Sequence, residues 1–182
     1  MKTCQELFGK ENIDAVQKGL GGGEIEAESK PLDRMKDLMV EKARGWKAEG
    51  DDLTRAWYDM CRLEAADNNG QSWVTGQVKW SVLAMDSVAA KDSAQEWRKA
   101  SDDVYVQSLK RASGVAAVLP CRIEGADPAQ RSGLPLEISV LDQGLGGDRE
   151  ALLGKLLGSL VQDTQKRLGC VQPVSVPADL RP

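Results

Sequence analysis

The stretch from Gly144 to Gly147 has the composition of a loop that could hold a phosphate, and a helical pattern follows it. A nucleotide-binding P-loop needs a Lys-Ser or Lys-Thr pair directly after its last glycine. Here Asp148 and Arg149 follow instead. A carboxylate at this point would repel a phosphate, but it would accept a hydrogen bond from the first turn of a helix. The pattern therefore predicts a turn and a helix cap.

The chain of 182 residues contains no histidine. Histidine is the usual general base near neutral pH and the commonest metal ligand, so Ser-His-Asp and Cys-His catalysis are excluded. The carboxylate pairs at residues 51–52 and 102–103 lack the spacing of a calcium loop, which makes helix capping the preferred interpretation. We therefore expect no catalytic residue, no metal ligand and no cofactor.

The four cysteines, Cys4, Cys61, Cys121 and Cys170, are widely spaced and include no CxxC pair. This usage favours reduced, partly buried thiols, with disulfides as the alternative. The first residues contain no apolar signal core, and no uncharged apolar run reaches the length of a membrane span. We expect an intracellular, cytoplasmic protein that does not enter a membrane.

The formal net charge is −4. The imbalance lies in the first 70 residues, which contain 11 Lys and Arg against 15 Asp and Glu. No part of the chain has the basic excess of a protein that holds a phosphate backbone by charge. The charge thus predicts a protein partner and does not favour nucleic acid.

Hydrophobic periodicity predicts a helical segment at residues 1–70 and an α+β core domain at residues 71–182, together forming one compact unit. The helical segment would contain a first helix, a glycine-rich linker and a helical hairpin, whose second helix covers residues 53–64. The core domain would contain strands near residues 73–84, 114–123 and 134–141, and a polar helix from Asp86 to about Ala112. The expected fold is thus about three N-terminal helices followed by a small antiparallel sheet packed against a long C-terminal helix.

The last predicted helix contains Gly154 and Gly158 beside a broad stripe of leucines. Glycine costs about 1 kcal/mol relative to alanine inside a helix, so two of them one turn apart indicate the close approach of another backbone. That backbone could belong to the protein's own sheet. The alternative is the same helix of a second subunit, with interface residues Gly154, Leu157, Gly158 and Val161 in a homodimer.

The segment QSWVTGQVKW, followed by a helix, two strands and a long helix that runs into VQPVSV, resembles the tombusvirus silencing suppressors. Those proteins hold small duplex RNA on a dimeric sheet. The resemblance implies that Trp57 stacks on the end of a duplex and that Trp73, Lys79 and Arg122 contact RNA. The five tryptophans of the chain have core packing as their first interpretation.

Two functional hypotheses follow. The first is a non-enzymatic protein-interaction or assembly module, of an accessory, chaperone-like or viral or phage structural type, that forms a homodimer. The alternative is a viral silencing suppressor that binds small double-stranded RNA.

Overall fold

The computed structural model describes residues 1–49, 54–67, 70–90, 96–109 and 113–182, in which the chain forms six helices and seven strands. The helices are α1 (Lys2–Phe8), α2 (Lys10–Gly19), α3 (Leu32–Gly45), α4 (Met85–Ala89), α5 (Gln130–Gly133) and α6 (Arg149–Leu168). The strands are β1 (Ile25–Glu28), β2 (Tyr58–Ala65), β3 (Trp73–Trp80), β4 (Arg98–Ser101), β5 (Val104–Ser108), β6 (Gly114–Leu119) and β7 (Leu136–Gln143).

All seven strands form one antiparallel sheet in the order β1-β2-β3-β7-β6-β5-β4. Three consecutive strands form each side, and β7 lies between the two groups, paired along its length with β3 and β6. The sheet therefore includes strands from both sides of residue 70.

One face of the sheet, called the inner face below, carries the main core. Alternate residues of β3 and β7, such as Val78 and Ile138, are fully buried there. Helix α6 packs against β6 and β7, and α1, α2 and α3 contact α6. At Gly76 a Cβ atom would lie 2.8 Å from a methyl group of Leu160 and 2.9 Å from the ring of Phe8. The missing side chain thus allows α1 and α6 to approach β3 closely.

The predicted fold class is wrong in its proportions, because the sheet is large and the helices are not an N-terminal trio. The clearest error is the helix predicted at residues 53–64, where the structure has β2. A register shift between Asp59 and Cys61 makes Met60 and Cys61 both buried neighbours. This bulge interrupts the two-residue alternation, so the apolar positions take a helix-like spacing. The predicted linker is also partly a strand, β1.

The polar helix predicted from Asp86 to about Ala112 is also wrong where the structure describes it. Only α4 is helical, and the edge pair β4 and β5 follows. Val104 and Val106 are buried, while Tyr105 and Gln107 between them are partly exposed. This alternation is typical of a strand. It covers only four residues, however, and helical periodicity is judged over about 11–18 residues, most of which are polar here. Residues 91–95 and 110–112 of that prediction lie outside the described residues.

The cysteines form two disulfides, Cys4–Cys61 and Cys121–Cys170, so the prediction of reduced thiols is wrong. The first joins α1 to β2, and the second joins the end of β6 to the residue after the C-cap of α6. The partners are 57 and 49 residues apart in sequence, so the tertiary fold decides which cysteines meet.

In the described parts of the chain, no helix combines the length and the apolar character that a membrane crossing requires.

Helix α6 begins and ends with two well-defined caps. The Asp148 side chain accepts a hydrogen bond from the Ala151 amide, which confirms the predicted N-cap. Gly169 ends the helix in the left-handed conformation, with φ of 69°. Beyond it the chain returns along α6 as an extended segment, residues 171–182, called the tail below. The Leu180 amide donates to the Gly154 carbonyl, and the Leu180 side chain is fully buried.

Candidate functional site

The second face of the sheet, the outer face, divides into a covered and an open half. On the covered half α4 packs against β6, and Val88, Ala116 and Val118 are buried outside the main core. On the other half, Thr75 is buried, but the remaining outward side chains of β2 and β3 and the residue before β2 are partly or largely exposed. These side chains define the open face: Trp57, Asp59, Arg62, Glu64, Trp73, Gln77 and Lys79.

Trp57 is the most exposed aromatic side chain of the open face, at 40%. The Lys79 ammonium group lies 4.3 Å from the centroid of its ring, within the range of a cation–π interaction. The same ammonium lies 3.3 Å from a Glu137 carboxylate oxygen, and these two charged side chains are only 14% and 12% exposed. The Glu137 carboxylate and the Trp57 indole therefore both contact the Lys79 ammonium, and this fixes the position of the lysine on the open face.

A second indole–cation pair lies on the same face. The Arg62 guanidinium is 4.5 Å from the Trp73 ring centroid, and its Nε donates to Glu64 over 2.9 Å. The Trp73 Nε1 donates to the side chain of Gln143, its cross-strand neighbour on β7. The Arg62 guanidinium and the Trp73 indole nitrogen thus each donate a hydrogen bond, and the bond to Gln143 fixes the orientation of the Trp73 ring.

A third set of contacts connects the two strands near the bulge. Gln77 donates to one oxygen of Asp59 over 2.6 Å, and the Lys30 ammonium lies 3.3 Å from the other. The cations described here are each paired: Lys30 with Asp59, Arg62 with Glu64 and Lys79 with Glu137. The open face is consequently a surface of mixed charge with two oriented indoles.

The structure brings together three of the four residues assigned to RNA contact. Trp57, Trp73 and Lys79 share the open face. Arg122 does not, because it follows β6 and forms a backbone bridge with Val171 at the start of the tail. The sequence reasoning missed Arg62, Asp59 and Glu137. Lys79 and Glu137 are cross-strand partners, and only the pairing of β3 with β7 reveals this.

The residues assigned to a helix interface are buried within the protein itself. Leu157 and Val161 have no exposed surface. A Cβ atom on Gly154 would lie 2.9 Å from the Arg181 amide nitrogen, and one on Gly158 would lie 2.6 Å from the Ala178 carbonyl oxygen. The backbone that approaches the two glycines is therefore the tail, and neither the sheet nor a second copy of α6 takes that place here.

The glycine loop before α6 makes contacts inside the protein. The Gly146 amide donates to the Gly19 carbonyl over 2.9 Å, and the Leu145 side chain is buried. Gly144 and Gly147 both have φ of 73°, a conformation that favours glycine. These contacts agree with the predicted turn and cap.

A polar cluster at the start of α6 was not anticipated. The Arg149 guanidinium donates to both oxygens of the buried carboxylate of Asp142 and also contacts the Ser113 hydroxyl. The hydrogen bond to Asp142 raises the pKa of Arg149 above its ordinary value, while burial acts in the opposite direction. The cluster borders a cavity of about 500 Å³. Arg149, Asp142 and Ser113 are already hydrogen-bonded to one another.

No known protein family, no curated protein and no solved structure matches this chain.

Proposed function

We propose that the chain is a non-enzymatic protein-interaction module and that the open face is its binding surface. The observation that carries this proposal is the pair of indole–cation contacts, Trp57 with Lys79 and Trp73 with Arg62, on adjacent strands of one exposed surface. Tryptophan and arginine are enriched among the residues that dominate binding energy at protein interfaces. Holding these side chains in place before binding lowers the entropy that association costs.

The chemistry of the chain supports a binding role over a catalytic one. Histidine is absent, and all four cysteines are in disulfides. In the described ranges no group of three or more acidic or cysteine side chains is arranged to hold a metal ion. The most organised polar cluster, Arg149 with Asp142 and Ser113, connects the start of α6 to the sheet.

The charges of the open face favour a protein partner. Each of its cations lies beside a carboxylate, so a phosphate backbone would have to displace an existing ion pair at every contact. A protein surface can offer both signs of charge. Binding of duplex RNA is the second candidate, because Trp57, Trp73 and Lys79 share one face.

The two disulfides favour an oxidising compartment, where such bonds form and persist. The disulfides do not support the cytoplasmic location expected from the sequence, which stays a prediction. We place the protein in the oxidising environment within the present proposal.

The proposal is tested by comparing Trp57→Ala and Trp73→Ala with Leu38→Ala, which removes a 41% exposed side chain from α3, on the helical side of the molecule. Each tagged variant is incubated with an extract of the source cells, and retained proteins are quantified. We expect one stoichiometric partner that the parent and Leu38→Ala retain and the tryptophan variants lose. Equal retention by all variants, or no partner at all, contradicts the proposal.

The second candidate is measured on the same proteins with a labelled small RNA duplex at several salt concentrations. If RNA binding weakens steeply with salt and requires Trp57, RNA becomes the preferred partner of the open face instead of a protein. No binding at low salt removes the RNA candidate.

A further inference from the structure

Strand β1 is an edge of the sheet, paired only with β2. The Ala66 amide donates to the Glu24 carbonyl, which extends the register Ile25↔Ala65 by one pair. In an antiparallel ladder the hydrogen-bonded pairs alternate. The backbone groups of Glu24, Glu26 and Glu28 therefore point to β2, and those of Ile25 and Ala27 point away from the sheet. No backbone hydrogen bond joins Ile25 or Ala27 to another segment of the described chain.

The edge strand carries charge of one sign on one face. Glu24, Glu26 and Glu28 are exposed and alternate along the strand, about 7 Å apart from one to the next. Within the described residues their carboxylates have no ion pair, whereas the nearby cations Lys30 and Arg62 are paired with Asp59 and Glu64. A second copy of this edge would be repelled by the same carboxylates. An extended chain with basic residues at alternate positions would be attracted.

The opposite face of the same strand is apolar. Ile25 and Ala27 are half-buried and pack at the margin of the main core. A strand added beside β1 would extend both faces of the sheet, because successive side chains alternate between the faces. Its inward side chains would meet Ile25 and Ala27, and its outward side chains would meet the three carboxylates.

We propose that the β1 edge binds an extended segment of a partner protein in which Lys or Arg alternates with apolar residues, as an added strand of the sheet. The segment forms main-chain hydrogen bonds with Ile25 and Ala27 and ion pairs with Glu24, Glu26 and Glu28. In such strand addition the main chain supplies affinity and the alternating side chains supply specificity. The inference deepens the proposed function, since it rests on the chain being a protein-binding module and names the chemistry of the partner.

The probe is a labelled, end-blocked peptide of alternating lysine and valine. Two comparison peptides are used: one of alternating glutamate and valine, and one with the lysines and valines in separate blocks. We expect saturable binding of the first peptide, measured by fluorescence anisotropy, and at least tenfold weaker binding of the other two. Equal binding of the block peptide would mean charge attraction without strand pairing and would overturn the proposal.

The matched variants are Ala27→Pro and Ala27→Val. Proline removes an amide that faces away from β2 and fixes φ at about −65°, and edge strands accept it in that position. Valine keeps the amide and favours strand structure. We expect Ala27→Pro to weaken peptide binding at least tenfold and Ala27→Val to preserve it. Unchanged binding by Ala27→Pro, with an unchanged thermal midpoint, contradicts the proposal.

A measurement on the unmodified protein covers the case in which Ala27→Pro fails to fold. Saturating alternating lysine–valine peptide should slow hydrogen exchange of the Ile25 and Ala27 amides, and unchanged exchange rates overturn the proposal. The triple change of Glu24, Glu26 and Glu28 to Gln should weaken binding at least tenfold. Trp57→Ala should leave peptide binding intact. The peptide assay therefore tests the β1 edge alone, and its failure can be told apart from a failure of the open face to bind a partner.

Discussion

At the scale of single residues, Asp142 is a buried carboxylate that forms an ion pair with one guanidinium. Arg149 donates to both of its oxygens, and the Ser113 hydroxyl supplies a weaker contact of 3.3 Å. Asp142 belongs to β7 and Arg149 is the first residue of α6, so the pair fixes the start of the helix to the central strand.

Replacing Arg149 with Met should lower the free energy of unfolding by about 1–3 kcal/mol, because the carboxylate stays buried without its partner. Arg131→Met is the matched control: Arg131 pairs with Asp103, and both side chains are at least 40% exposed. Exposed pairs contribute about 0–1 kcal/mol. Urea unfolding measures both changes. The double variant Asp142→Asn, Arg149→Met should recover part of the loss, and equal losses for Arg149→Met and Arg131→Met would show that the burial of Asp142 has no role.

At the scale of elements, α6 and the tail form one packed unit. Gln165 bonds to the Val174 backbone through both its amide nitrogen and its oxygen, and the Gln162 side chain donates to the Val176 carbonyl. At the far end of the tail, the Arg98 guanidinium donates to the Arg181 carbonyl. The tail thus connects α6 to the edge strand β4.

Gly158→Ala tests this packing, with Gly45→Ala as the control. A Cβ at position 158 would collide with the tail backbone, whereas nothing lies within 4 Å of a Cβ at position 45. Overpacking of this kind costs about 1–3 kcal/mol. At Gly45, alanine should be neutral or stabilise by up to about 1 kcal/mol. Thermal and urea unfolding of both variants measure the difference, and a Gly158→Ala protein as stable as the parent would contradict the observed course of the tail.

At the scale of the whole molecule, the two disulfides connect the helical layer to the sheet at two separate points. Cys4–Cys61 holds α1 to β2, and Cys121–Cys170 holds the end of β6 beside the end of α6. Because each closes a loop of about fifty residues, the chain-entropy model assigns each a stabilisation of about 4 kcal/mol, within a usual range of 2–5.

Reduction in denaturant followed by refolding in reductant should therefore lower the thermal midpoint by roughly 5–20 °C per bond lost, at about 2–4 °C per kcal/mol for a chain of this size. The variants Cys4→Ala/Cys61→Ala and Cys121→Ala/Cys170→Ala separate the two contributions by calorimetry. A chelator added to the oxidised protein should leave the midpoint unchanged. A reduced protein that melts at the temperature of the oxidised one would show that neither bond stabilises the fold.

Features set by neighbouring residues could be predicted from the sequence alone. Asp148 caps α6, the leucine stripe faces the core, and the alternation in residues 136–140 places Leu136, Ile138 and Val140 on one buried face. Each signal arises within one or two turns of helix or along one strand, because capping and periodicity depend on local geometry. The absence of histidine likewise limits the available chemistry without any knowledge of the fold.

Only the tertiary structure decided the features that depend on distant partners. β2 is a strand because β1 and β3 pair with it on both sides, although its bulged pattern resembles a helix. Cys4 meets Cys61, and Gly158 meets Ala178, through packing of whole elements. Trp57, Trp73 and Lys79 form one surface because the register of β2, β3 and β7 aligns them. Such contacts form between segments far apart in the chain, so no local pattern of residue types encodes which partner each segment meets.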